Sequence, residues 1–123
     1  MTGTNEGDAR GAAAQARDVT VHYGDFKALD RVTCALQAAA VTGLLGPNGA
    51  GKSTLIKTLL GFLAPSTGGC EVLGGDPRRV PLEVRRRVGY MPEHDASLPG
   101  RTGLASVVLA GRLAGMPREA AFS

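Results

Sequence analysis

The sequence predicts an α/β fold arranged around a phosphate-binding loop. Three observations carry that prediction. Gly46-Pro47-Asn48-Gly49-Ala50-Gly51-Lys52-Ser53 fits G-x-x-x-x-G-K-[ST] without a mismatch. The run Val41-Thr42-Gly43-Leu44-Leu45 leads into it, as a short strand buried on both faces would. Leu55, Ile56, Leu59, Leu60 and Leu63 follow at helical spacing and form a broad apolar stripe.

Composition sets the limits. A chain of 123 residues makes one small domain. Hydrophobic residues at 43% support a packed core, and 4% aromatics with no Trp make that core aliphatic. A net charge of +3 is mild, well short of a nucleic-acid-binding balance, so no nucleic-acid partner is expected. Much of the excess sits in Arg78, Arg79, Arg85, Arg86 and Arg87, read as a solvated face. Cys34 and Cys70 fit neither a zinc nor a redox spacing, which leaves free thiols as the reading. No charged segment followed by an apolar run marks a signal peptide. No stretch approaches the ~20 apolar residues of a membrane helix. These features imply a cytoplasmic location.

Residues 1–16, small, polar and without periodicity, read as a disordered leader. Residues 17–123 then form the ordered part. Val19–Tyr23 alternates as a strand does, and Gly24-Asp25 turns the chain. Leu29, Val32, Cys34 and Leu36 suggest a second strand, with a break or bulge at Asp30-Arg31. After the loop, a helix runs from Thr54 to Leu60, stops at Gly61 and cannot pass Pro65. Residues 65–69 form a turn and Cys70–Leu73 a short strand, closed by Gly74-Gly75. Pro81 opens a basic helix ending near Arg87, and Val88–Met91 reads as a strand stopped by Pro92. Leu98-Pro99-Gly100 is a loop. Thr102 caps a helix running past Leu113 to Gly115, and Pro117 opens another.

The loop's residue types have physical reasons. Gly46, Gly49 and Gly51 permit backbone angles and close approaches that a side chain would block. Amides from Gly49 to Thr54 can then converge on an anion, with the positive end of the helix dipole behind them. Pro47, Asn48 and Ala50 complete the wrap. Lys52 adds a point charge between terminal phosphates. Ser53 offers a hydroxyl to magnesium, a hard cation that prefers oxygen. The ligand implied is ATP with Mg2+.

The variant GPNGAGKST, with its surroundings, resembles the nucleotide-binding domain of the ATP-binding-cassette (ABC) family. Upstream, VHYGDFKALDRVT resembles the segment carrying the aromatic that stacks on adenine, here Tyr23. Downstream, APSTGGCEVLGGDP resembles the family's P-x-x-G-x-v-x-v-x-G segment, and RRRVGYMPEHDASLPGRTG resembles its Q-loop region. Tyr23 can also end a strand with its ring on the core, which the residues alone favour, whereas the resemblance implies adenine stacking. His22 and His94 read as solvated or structural.

Two departures from the family pattern matter. Glu93 stands where the Q-loop glutamine is expected. It remains an oxygen ligand for magnesium, adds a negative charge, and resembles an export- and multidrug-type subset. No catalytic set is complete, because the chain ends before the signature motif, the Walker B aspartate, the catalytic glutamate and the switch histidine. The resemblance implies the N-terminal part of an incomplete domain. Its P-loop NTPase core is preceded by an antiparallel β-subdomain. It also implies the ATPase subunit of a membrane transporter, an exporter by the Glu93 subset. Such a subunit dimerises and sits on the cytoplasmic face of the membrane beside a membrane-spanning partner. In it ATP is hydrolysed to ADP and phosphate, whereas these 123 residues alone are expected to be inactive. A soluble cassette acting on ribosomes or DNA, and a non-catalytic nucleotide-binding remnant, are the alternatives.

Overall fold

Gly24 takes φ 57° and turns the chain between two long antiparallel strands, β1 (Ala12–Tyr23) and β2 (Phe26–Gln37). The computed structural model describes residues 11–93 and 99–121. The remaining elements are α1 (Lys52–Leu59), β3 (Thr67–Val72), α2 (Pro81–Arg86), α3 (Gly103–Leu113) and α4 (Arg118–Ala121). The chain divides after Val88 into two compact units.

In the first unit β3 pairs with β1 on its other side, giving an antiparallel sheet in the order β2-β1-β3. α1 lays Leu55 and Leu59 on this sheet, among Val19, Val21, Leu29, Val32 and Val72. The core is aliphatic, as the composition requires. The buried face of α1 is Thr54, Leu55, Thr58 and Leu59. Ile56, expected on the apolar stripe, is instead exposed. Thr58 takes its place inside, where its hydroxyl donates to the Thr54 carbonyl at 2.8 Å and so leaves no polar atom stranded.

β1 starts ahead of the expected boundary. The leader proposed for residues 1–16 gives way at Ala12 to strand, with Ala14, Gln15 and Ala16 buried. Alanine favours helix in isolation, and central pairing overrides that preference. Residues 1–10, His94 and Leu98 lie outside the described residues.

The irregularity expected at Asp30-Arg31 is present. Arg31 has φ 47°, and the β1–β2 register shifts between Val19 and Val21. Thr20 Oγ1 accepts from the Arg31 amide at 3.1 Å. A second shift opposes Asp18, whose φ is 48° and whose amide donates to Thr33 Oγ1 at 3.0 Å. Two threonine hydroxyls thus take up amides that the ladder drops at its bulges.

Two expected strands are absent among the described residues. Val41–Leu45 is irregular and exposed, with Val41 and Leu45 at 104% and 90% of full exposure. Val88–Met91 is likewise not in a strand. A strand exists only through hydrogen bonds to a neighbour, and no described segment pairs with either. The sheet present is therefore the antiparallel part of the expected α/β architecture. β3 also runs Thr67–Val72 and not Cys70–Leu73, because Leu73 turns out of the strand at φ 51°.

In the second unit, Thr102 caps α3 as expected, its side chain accepting from the Ala105 amide at 3.2 Å. The helix closes at Ala114, and Gly115 follows at φ 91°.

Candidate functional site

The loop from Gly46 to Ser53 belongs to the first unit and runs from an irregular segment into the start of α1. Gly49 and Gly51 sit at φ 83° and φ 92°, the left-handed region that glycine enters without strain. A Cβ on Gly49 would meet nothing within 4 Å, so that glycine is required by backbone angle and not by space. Gly46 is different. A Cβ there would lie 3.2 Å from the Ala50 Cβ, tighter than ordinary contact. The Ala50 amide closes a turn on the Pro47 carbonyl at 3.1 Å, with Asn48 inside the turn.

Gly51 is the N-cap of α1, and the first helical bond runs from the Leu55 amide to the Gly51 carbonyl at 2.9 Å. α1 starts at Lys52, inside the motif, so the amides of Lys52, Ser53 and Thr54 precede that first bond. No side chain caps them and no acidic residue sits in the first turn. Unpaired first-turn amides with the helix dipole behind them favour an anion.

Lys52 aims its ammonium back over the loop. Nζ donates to the Gly46 carbonyl and to the Pro47 carbonyl, the latter at 2.8 Å. An ammonium has three donors, so one remains after these two bonds. Ser53 is exposed, and Thr54 is buried, so Thr54 can offer a ligand only its amide. The structure thus brings Gly46, Pro47, Ala50 and Lys52 together by direct contact, with Ser53 adjacent.

Tyr23 ends β1 with 47% of its surface exposed, so its ring is not core. Opposite it across the turn stands Phe26, exposed at 62%. The sequence reading passed over Phe26, although an aromatic on each side of Gly24-Asp25 was the available signal. His22 Nδ1 lies 3.2 Å from Ser66 Oγ, a structural contact. Glu93 is exposed on the irregular segment that begins the second unit.

No group of three or more His, Cys, Asp or Glu side chains is assembled for a metal among the described residues. An ion held there would rest on the Ser53 hydroxyl and on oxygens from its ligand and from water, the usual habit of magnesium. The two thiols flank one residue, since Ala16 pairs with Cys34 on one side and Cys70 on the other. Two strand spacings put their Cα atoms roughly 9–10 Å apart, beyond disulfide reach. Burial pushes the Cys34 thiol up and Cys70 up to about 11, which keeps both protonated and unreactive. Two cavities of about 150 and 450 Å³ lie along β3, and neither is lined by a loop residue. A phosphate-cradling loop works through its own backbone and needs no deep pocket.

Comparison with known proteins bears on the family and the fold. The sequence profile of the ABC transporter family matches residues 29–119. That match takes in the loop and Glu93 and leaves out Tyr23. The chain is 43% identical over 95 residues to a sulfate/thiosulfate import ATP-binding protein of Mycolicibacterium paratuberculosis, covering 77% of this chain and 25% of that protein. It is 41% identical over 90 residues to a probable multidrug ABC transporter ATP-binding protein of Escherichia coli K12, covering 73% of this chain and 16% of that one. The chain therefore spans a quarter or less of these relatives. A solved ATP-binding subunit of an ABC transporter superposes with a TM-score of 0.75 at 28% identity, over 85% of this chain and 44% of that one.

Proposed function

We propose that this chain, which belongs to the ABC transporter family, is the ATP-binding, N-terminal part of an ATPase subunit that drives a membrane transporter. The observation that carries the reading is the loop itself. Its first-turn amides have no side-chain cap, two of its glycines are left-handed, and the Lys52 ammonium lies against the same loop, which supports a polyphosphate as its ligand. Ser53 would hold magnesium, which when bound neutralises phosphate charge. No helix among the described residues is long and apolar enough to cross a membrane. The membrane-spanning partner in this reading comes from the family. We place the subunit on the cytoplasmic face, acting as a dimer of such domains. The complete cassette would release phosphate from ATP by positioning and charge neutralisation. Assaying that release with the complete cassette, in membranes holding its partner, tests the reading. Release with no membrane partner would favour the ribosome- or DNA-acting cassettes, and no release a nucleotide-binding remnant.

Tyr23 would stack on adenine, and its exposure leaves the ring free to do so. Stacking on an aromatic is worth about 1–3 kcal/mol. Tyr23→Ala is expected to weaken ATP by roughly 5- to 150-fold at an unchanged melting temperature, and Tyr23→Trp to be tolerated. Titration and melting of one sample check this. A lowered melting temperature with unchanged affinity would assign the ring to packing.

Export is the direction we propose, and it rests on Glu93 alone. The sulfate/thiosulfate import relative is the observation favouring the opposite direction. Glu93→Gln keeps an oxygen ligand and removes one charge beside a polyanion. ATP binding is expected to survive it while hydrolysis or its coupling to transport changes, measured in the complete transporter. Identical hydrolysis and transport in the variant would remove Glu93 from the site.

A further inference from the structure

Tyr23 is one of two aromatics that close the β1–β2 hairpin. Its Cα partner across the Gly24-Asp25 turn is Phe26, and both precede residues 29–119, where the family profile matches. Residues directly opposite in an antiparallel pair project from one face, with Cβ atoms about 4.5–5.5 Å apart. The hairpin register therefore sets the two rings side by side, whatever part of either is exposed.

The face they share is the one on which α1 lies. The register shift between Val21 and His22 is taken up on β2, where Ala28 is the extra residue. β1 thus alternates without a break from Val21 to Tyr23, which puts those two residues on one face. Val21 packs in the core with Leu55 and Leu59 of α1, and α1 opens inside the phosphate loop. Tyr23, Phe26 and the helix that begins at Lys52 accordingly stand on the same side of the sheet. The Phe26 ring carries no donor or acceptor, so it can meet a base only through its π face or its edge. Aromatic pairs of that kind prefer centroids about 4.5–7 Å apart. A base stacked on Tyr23 is wide enough to reach a ring one cross-strand spacing away.

We propose that Phe26 is a second aromatic contact to the adenine ring of ATP, held beside Tyr23 by the hairpin. The inference rests on the reading above, in which the loop holds the polyphosphate and Tyr23 stacks on the base. An aromatic in a hairpin can also serve strand pairing alone, and the two roles differ in their effect on a ligand without a base. The complete cassette is titrated with magnesium ATP, and inorganic tripolyphosphate is then used to displace it. Phe26→Ala should weaken ATP by roughly 2- to 12-fold and leave tripolyphosphate binding as in wild type. Phe26→Tyr should keep the wild-type ATP affinity. Lys52→Ala should weaken both ligands, because it acts on phosphate. Unchanged ATP affinity in Phe26→Ala would overturn the proposal. So would an equal loss of ATP and tripolyphosphate, which would assign Phe26 to the hairpin alone. If Tyr23→Ala and Lys52→Ala weaken ATP while Phe26→Ala does not, the reading of the site stands and only this contact fails. Tripolyphosphate that displaces no ATP from wild type would overturn the reading of the loop, and the contact with it.

Discussion

Lys52→Ala is expected to weaken ATP binding by roughly 10- to 150-fold and to abolish turnover in the complete protein, with little change in melting temperature. Lys52 is the only cationic side chain of the loop. A charge-assisted contact to phosphate is worth about 1.5–3 kcal/mol, which sets the range. Turnover falls further than affinity because charge on the transferring phosphoryl group grows at the transition state, where a fixed cation counts most. The fold should survive, since what Lys52 holds in place is loop carbonyl and not core. Leu55 and Leu59 anchor α1 to the sheet without it. Calorimetric titration, phosphate release and melting of wild type and variant check all three parts. Unchanged turnover in the folded variant would remove the loop from the chemistry.

Gly68→Ala is expected to be the most damaging small substitution in the sheet. Gly68 sits in β3 at φ 79°, opposite the bulge where the β1–β3 register shifts between Arg17 and Thr20. A Cβ there would fall 2.4 Å from the Arg17 carbonyl oxygen, and closer still to that of Asp18. Both neighbours are backbone, so neither can swing aside. A left-handed non-glycine residue costs about 1–2 kcal/mol, and overpacking adds about 1–3. Together they predict a loss of ~2–5 kcal/mol, far above the gain from a stiffer unfolded chain. Chemical denaturation gives the value. Gly49→Ala, with the same sign of φ and open space around it, should cost the fold much less, and its effect should fall on nucleotide affinity. A Gly68→Ala protein as stable as wild type would mean that the bulge is not held as described.

The loop was legible because its requirements are local. Glycines at Gly49 and Gly51 answer a backbone angle, and the stop at Gly61 answers φ 74°. Thr102 and Pro81 mark helix starts by their own chemistry, and both helices begin where they should. The break at Asp30-Arg31 was visible because a polar pair interrupts an alternating pattern. Pairing was not legible. Nothing local separates Ala12–Ala16, which β2 and β3 hold as strand, from a helix-prone or unstructured run. Val41–Leu45 errs in the other direction, since an apolar run without a described neighbour has no ladder to join. Direction of transport is still less local, because relatives named for import and for multidrug transport match at similar identity.

The most direct test of the central claim is an NMR titration of the isotopically labelled chain with magnesium ATP and, separately, with AMP. If the loop cradles the β- and γ-phosphates, the amides from Gly49 to Thr54 should shift with ATP, stay in place with AMP, and respond weakly to ATP in Lys52→Ala. Loop amides that stay in place with ATP, or that move equally with AMP, would contradict it.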